Sequence, residues 1–284
     1  MSILITADEL ADAGPSVRVL DVRWTLPKPD GRDDFRAGHV PGAVYVDLDH
    51  ELAGHGEPTD GRHPLPTVEA LQESARSWGI DDGDTVVVYD AGGNLASARA
   101  WWLLRHAGVE DVRLLDGGLA AWTARGHEIA TGDASPGRGG VTLSYGHLPV
   151  VGADDVLDIA ADGVLLDARA PERYRGETEP IDPVAGHIPG AVNTPTGDNL
   201  RADGTFLEPA TLRSRFVAAG VDPDRPLATY CGSGVTAAHT VVALTLAGFS
   251  PALYPGSWSQ WSNQTDRPVE TGLIPSAPSQ GAHT

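Results

Sequence analysis

The residues best equipped for chemistry lie in one run, Tyr230-Cys231-Gly232-Ser233-Gly234-Val235-Thr236, which holds the single cysteine of this 284-residue chain. A thiol reacts as its thiolate, so a reactive cysteine needs hydrogen-bond donors or positive charge that favour the ionised form. Two glycines let the backbone curl so that several N–H groups converge on one anionic atom. The run also precedes an apolar stretch, Thr236 to Leu246, that reads as a helix closed by Gly248. The first N–H groups of a helix have no internal partners and lie at the positive end of its dipole. The expected cradle is therefore the amides of Gly232, Ser233, Gly234, Val235 and Thr236. Most lone cysteines are small buried hydrophobes. A strand end, a Gly-x-Gly turn and a helix start set Cys231 apart, since a passive core residue requires none of them.

Two other cysteine chemistries fit less well. Tyrosine and dual-specificity phosphatases place a phosphate-gripping arginine six residues after the cysteine; here that residue is Ala237, and no arginine occurs between Cys231 and Phe249. A papain-like protease needs a histidine base, and His239, on the following helix, reads as a packing or surface residue.

The elements that must position this loop follow from periodicity. Leu227 to Tyr230 reads as a short buried strand leading into it. Earlier, Thr6-Ala-Asp-Glu9 is a capping box before a short helix, and Val17 to Val22 alternates as a strand ending in Asp21-Val22-Arg23. Phe35 to Ala43 is rich in Gly and Pro and reads as a structured loop. Thr67 to Trp78 and Leu95 to Ala107 read as helices; Thr85 to Tyr89 and Val112 to Leu115 read as strands. Strands alternating with helices imply crossovers and parallel pairing, so the expected class is α/β, with each domain a mainly parallel sheet flanked by helices.

The same order then returns. Asp21-Val-Arg23 reappears as Asp167-Ala-Arg169, and Gly38-His39-Val-Pro-Gly-Ala43 as Gly186-His187-Ile-Pro-Gly-Ala191. The strand Thr85 to Tyr89 matches Pro226 to Tyr230, while Gly117 and Trp122 match Gly256 and Trp261. One unit used twice predicts two tandem domains, 1–130 and 147–275, joined by a 131–146 linker and followed by a 276–284 tail. The repeat also exposes a substitution: where the second copy has Cys231, the first has Asp90. A carboxylate there is expected to fill the anion site of its own loop permanently, leaving that copy silent. Of the seven tryptophans, Trp101, Trp102 and Trp261 read as core, and Trp258 either as core or as a wall of the cleft.

Composition narrows the function. A formal charge of −19 argues against nucleic acid and anionic membrane surfaces, so an anionic substrate needs a local basic pocket. One cysteine excludes an internal disulfide and a cysteine-based zinc site and suits a reducing compartment. Neither a signal peptide nor a transmembrane run is visible, which makes the cytoplasm the expected location.

Over residues 3–272 the chain resembles the two-domain rhodanese-family sulfurtransferases. The signature Phe-x-x-x-His-[Val/Ile]-Pro-Gly-Ala occurs at Phe35 to Ala43, with a looser copy at His187 to Ala191. Cys231-Gly-Ser-Gly-Val-Thr-Ala237 resembles the active-site loop of the 3-mercaptopyruvate branch, and Asp116-Gly-Gly and Pro255-Gly-Ser-Trp-Ser-Gln-Trp261 resemble the family's C-terminal motif. The resemblance implies a silent first domain, a site in the cleft between domains, and sulfur transfer through a Cys231 persulfide without metal or cofactor. The implied donor is a small anionic sulfur compound, 3-mercaptopyruvate or thiosulfate, and the implied acceptor is cyanide or a thiol such as thioredoxin or glutathione. It further implies a proton relay of Ser233, His39 and Asp33, and an anion-binding Arg173. Arg169 is a second candidate for the anion, or a structural residue as the repeat partner of Arg23. His39 and Asp33 also have plainer readings, as a buttress of the Pro-Gly loop and a solvated charge.

Two features pull in opposite directions on the donor. The family's mercaptopyruvate enzymes carry a second arginine about nine residues after the first, where this chain reads Glu179-Pro-Ile-Asp182. Thiosulfate-preferring relatives carry Arg and Lys inside the cysteine loop, which here has neither. A contrasting expectation from the same fold is a regulatory protein that binds persulfide or anions without turnover.

Overall fold

Each half of the chain builds a parallel sheet from short apolar strands. The structure, a computed structural model, describes residues 2–14 and 17–272; the expected 276–284 tail lies outside them. The first half runs β1 (Leu4–Ile5), α1 (Ala7–Ala13), β2 (Val17–Asp21), α2 (Arg32–Ala37), β3 (Ala43–Tyr45), α3 (Leu48–Glu51), α4 (Val68–Ser77), β4 (Thr85–Tyr89), α5 (Ser97–His106), β5 (Asp111–Leu115) and α6 (Gly118–Ala124). The second runs α7 (Val156–Asp162), β6 (Val164–Asp167), α8 (Pro171–Tyr174), β7 (Val192–Asn193), α9 (Pro209–Ala218), β8 (Leu227–Tyr230), α10 (Thr236–Leu246), β9 (Ala252–Leu253) and α11 (Ser257–Asn263). Their sheets have the orders β1-β5-β4-β2-β3 and β7-β6-β8-β9, with every pairing parallel. The counterpart of β1 in the second sheet shrinks to one bridge, Val150 to Leu253.

Local chemistry accounts for the element ends. The Thr6 hydroxyl accepts from Glu9 N–H at 3.3 Å while the Glu9 carboxylate accepts from Thr6 N–H at 2.8 Å, completing the capping box. The Phe35–Ala43 run is less irregular than its composition predicts. Phe35 belongs to α2, whose first turn carries Asp33 and Asp34, and β3 begins at Ala43, so only residues 38–42 are loop. Helix α5 starts at Ser97 rather than Leu95 because the preceding turn places Asn94 in the left-handed region, φ 66°.

The largest buried apolar cluster runs through both halves, beside a smaller one confined to each. Helices α5 and α10 follow the equivalent loops of the two sheets and are buried almost all round: α10 is apolar on nearly every side, and α5 carries Arg99 and His106 inside on backbone carbonyls. They pack on each other, joining Trp102 and Leu104 of the first half to Val242 and Phe216 of the second in one cluster. Full burial of one such aliphatic side chain is worth about 1.5–3 kcal/mol, against about 0–1 kcal/mol for an exposed ion pair. The hydrophobic seam therefore fixes how the halves meet. Residues 125–155 contain no helix or strand, yet Val141 and Leu143 are buried and Val141 N–H donates to Ile80 O at 3.1 Å, so this connection lies packed against the first half. Among the described residues no helix is long and apolar enough to cross a membrane.

Candidate active site

Cys231 follows the C-terminal end of β8, where the chain must turn to start α10. Gly234 makes that turn possible: its φ is +77°, and a Cβ built there would lie 2.3 Å from Pro255 O. Its N–H donates to Cys231 Sγ at 3.1 Å. Among the described residues this is the one amide of the expected cradle that reaches the sulfur. Elements from both halves fasten the loop. Cys231 N–H donates to Ser257 Oγ at 3.1 Å, Trp258 N–H to Cys231 O at 3.0 Å, and Ser259 N–H to Gly232 O at 2.8 Å. From α5 of the first half, the fully buried Arg99 donates to Gly234 O at 3.3 Å and to His63 O at 3.0 Å.

Cys231 opens onto a cavity of ≈ 400 Å³ at the junction of the halves, lined by Trp24 and Arg62 from one side and by Arg173, Ser233 and Thr196 from the other. The hydroxyl of Ser233 is 2.8 Å from His63 Nδ1, and His63 Nε2 is 3.2 Å from Asp49 Oδ1. Trp24 closes this chain, meeting the His63 ring edge-on at 5.5 Å and donating from Nε1 to Asp49 Oδ1 at 2.9 Å. Burial pushes His63 down to about 4, and the Arg99 and Arg62 cations act in the same direction, against the pull of Asp49. A neutral imidazole in this geometry donates from Nε2 to Asp49 and accepts the Ser233 O–H at Nδ1.

The sequence expectation for this relay needs correction. His39 does not meet Ser233. Its ring stacks on Phe35 at 3.9 Å, its Nδ1 bonds Phe35 O at 2.9 Å, and its backbone pairs with Ala130. His187 does the same in the second half, stacking on Tyr174 at 3.8 Å with Nδ1 2.7 Å from Tyr174 O and its backbone paired with Glu270. A role performed identically in both repeats is that of holding the Pro-Gly loop. Asp33 is 90% exposed and pairs with Arg36 on α2. The partners that the structure supplies, His63 and Asp49, lie outside the repeated motifs, which is why motif spacing missed them; the Arg62-His63 pair in a Gly/Pro-rich stretch was the available signal.

The two arginines expected at the anion site part company. Arg173 lines the cavity and is held by Glu179 at 2.6 Å and Asp182 at 3.3 Å. Arg169 borders the same cavity but spends its guanidinium on Asp167 at 2.6 Å and on Gly186 O at 2.7 Å, beneath Trp258. Arg23 makes the matching bonds to Asp21 and Gly38 O, both at 2.7 Å. Trp258 and Trp261 are fully buried.

Over the Asp90 loop an adjoining cavity of ≈ 650 Å³ shares Trp24, Leu26, Leu95 and Thr236 with the first. There the Asp90 carboxylate occupies the amide cradle. Oδ1 accepts from Gly92 N at 2.7 Å and Asn94 N at 2.8 Å, and Oδ2 from Ala96 N at 2.8 Å and Ser97 N at 3.0 Å. Four amides thus bind a resident anion in the position equivalent to Cys231. Among the described residues no His/Cys/Asp/Glu group could hold a metal ion.

Comparison with known proteins agrees with this architecture. The model of the rhodanese-like domain matches twice, at residues 6–125 and 152–264. The Mycobacterium tuberculosis protein SseB, provisionally named a thiosulfate sulfurtransferase, is 49% identical over 95% of this chain and 97% of its own length. A Pseudomonas aeruginosa protein, provisionally named a 3-mercaptopyruvate sulfurtransferase, is 46% identical over 95% of this chain and 98% of its own. The crystal structure of SseA from Escherichia coli, described as a 3-mercaptopyruvate sulfurtransferase with the rhodanese fold, superposes with a TM-score of 0.81 at 33% identity, covering 91% of this chain and 99% of that one. With two rhodanese domains, one cysteine loop intact and the other filled by its own aspartate, the chain belongs to the rhodanese family as a two-domain sulfurtransferase.

Proposed function

We propose that the protein takes sulfur from 3-mercaptopyruvate in preference to thiosulfate, carries it as a Cys231 persulfide, and passes it to a thiol or to cyanide. The Ser233–His63–Asp49 chain beside the cysteine carries this reading. Removing the outer sulfur from thiosulfate releases sulfite and moves no proton. Removing it from mercaptopyruvate does move one. The Cys231 thiolate attacks the donor sulfur, an S–S bond forms and the C–S bond breaks, and its electron pair leaves on carbon as the enolate of pyruvate. The proton of the donor thiol must then reach that carbon, giving pyruvate and the persulfide anion. A hydroxyl bonded to a buried neutral imidazole is suited to relaying it. Asp49 fixes the imidazole tautomer and offsets positive charge on the ring during the transfer.

In this reading Arg173 binds the donor carboxylate, and the Gly234 amide stabilises charge on sulfur. The second half-reaction returns the thiolate: an acceptor thiol attacks the outer sulfur and leaves as its persulfide, or cyanide leaves as thiocyanate. The absence of Arg and Lys from the cysteine loop also supports the uncharged-sulfur donor over thiosulfate. Steady-state kinetics with both donors tests the preference. A kcat/KM at least about tenfold higher for mercaptopyruvate is expected, and equal or higher values for thiosulfate would reverse the assignment.

A further inference from the structure

Asp182 stands where the resemblance leads one to expect a second donor-binding arginine, and it holds two guanidiniums. Its Oδ1 accepts from Arg62 Nη1 at 2.7 Å and its Oδ2 from Arg173 Nη2 at 3.3 Å, with the carboxylate itself 2% exposed. Arg62 belongs to the first half and Arg173 to the second. Both guanidiniums converge above the cysteine loop, because a Cβ built on Gly232 would lie 3.3 Å from Arg62 Nη2 and 3.5 Å from Arg173 Nη1. Among the described residues neither of those two nitrogens has a hydrogen-bond partner; the carboxylates engage the other edges of both groups. Both side chains line the cavity of Cys231 and Ser233. The Arg62 backbone is also fixed, its N–H donating to Ser259 Oγ at 3.0 Å across the domain junction.

We propose that Arg62 is the second donor-binding cation, closing a clamp with Arg173 over Gly232, and that Asp182 is the strut that sets the spacing of the two. Two free N–H groups on separate guanidiniums suit the two oxygens of one carboxylate, or two of a sulfonate. The clamp recovers, from the other domain, the charge that position 182 does not provide. It also makes donor binding depend on both halves being in place. Gly232 is part of the design, since any side chain there would meet both cations.

This inference rests on the sulfurtransferase reading, and its test separates the two. Loading of Cys231 is measured against donor concentration for wild type, Arg62→Ala and Arg62→Lys, together with discharge of pre-loaded persulfide to an uncharged thiol. The clamp predicts a donor KM raised about tenfold or more in Arg62→Ala with both mercaptopyruvate and thiosulfate, and discharge within about twofold of wild type. Arg62→Lys should fall between, since one ammonium group cannot hold Asp182 and the donor in two fixed directions. An interdomain ion pair without a substrate role would lower thermal stability and leave KM unchanged. An unchanged KM in either folded variant overturns the clamp while leaving sulfur transfer intact, and failure of wild type to load with either donor overturns the reading beneath it.

Discussion

His63 Nδ1 lies 2.8 Å from Ser233 Oγ although 170 residues separate them, and the contact joins one repeat to the other across the domain junction. Neither domain alone contains the relay. The nucleophile, the hydroxyl and Arg173 come from the second domain, while the imidazole, its carboxylate and Arg62 come from the first. Retaining a first domain whose own loop holds Asp90 in place of a cysteine therefore has a chemical reason.

The signature histidine His39 and the cleft histidine His63 should separate cleanly by experiment. His63→Gln is expected to lower kcat with mercaptopyruvate by about 10²-fold or more while changing turnover of thiosulfate only a few-fold, with little loss of stability. His39→Ala should do the opposite, lowering Tm through loss of the Phe35 stack and carbonyl bond while leaving kcat within a few-fold. Kinetics with both donors, alongside thermal melts of the two variants, checks this.

Acid should destabilise the fold through its buried histidines. Burial pushes His239 down to about 3, where its ring stacks on Phe206 at 4.5 Å, and His63 down to about 4. Their unfolded counterparts take up a proton near 6.5, so the unfolded state binds more protons and stability is lost as pH falls from about 6.5 toward 4. Each contributes a loss of about 2 kcal/mol between pH 7 and 5. Asp21, raised to about 6 by burial against the pull of Arg23, acts in the other direction, since its contribution is present in acid and lost as pH rises through 6. Denaturant unfolding of His239→Phe at pH 7 and 5 isolates one component: the variant should lose about 2 kcal/mol less than wild type over that interval.

Asp90 should be a stability residue. Replacing it with alanine strips the partner from four amides, three of them buried, at a cost of about 3 kcal/mol or more. Asp90→Asn should recover part of that. Catalysis per folded molecule is expected to change little, because the loop lies in the other repeat. Denaturant unfolding read together with turnover per active site distinguishes this from a catalytic role.

Arg99 ties the cysteine loop to the histidine. It is fully buried, its bonds go to the carbonyls of Leu52, His63, Pro64 and Gly234, and among the described residues it has no carboxylate partner. Burial lowers it to about 10, against the opposing pull of Cys231 and Tyr145, so at neutral pH it remains a cation behind the nucleophile. Arg99→Lys cannot span Gly234 O and His63 O together. Its Cys231 should alkylate about tenfold more slowly at pH 7 than in wild type, measured with iodoacetamide in protein shown by circular dichroism to be folded.

Much of the fold was legible in the chain because its strands and helices obey local rules. Thr85–Tyr89, Leu227–Tyr230 and Thr236–Leu246 fall where periodicity places them, and the Asp90 carboxylate sits in the amide cradle as the repeat predicts. What was not legible is what depends on contact between distant segments. His39 carries the family signature and looked like the relay base, yet its ring is committed to Phe35. His63 lies in a stretch with no periodicity, and its role exists only once α5 and α10 pack and bring residues 62–63 against the cysteine loop. The missing arginine at position 182 was legible as a gap; its replacement by Arg62, reaching in from the other domain, was not.

The most direct test of the account is the intact mass of the protein after incubation with 3-mercaptopyruvate and removal of excess donor. Wild type should gain one sulfur atom, lost on addition of cyanide and never formed in Cys231→Ser. An unchanged mass for wild type, or the same gain in Cys231→Ser, would contradict it.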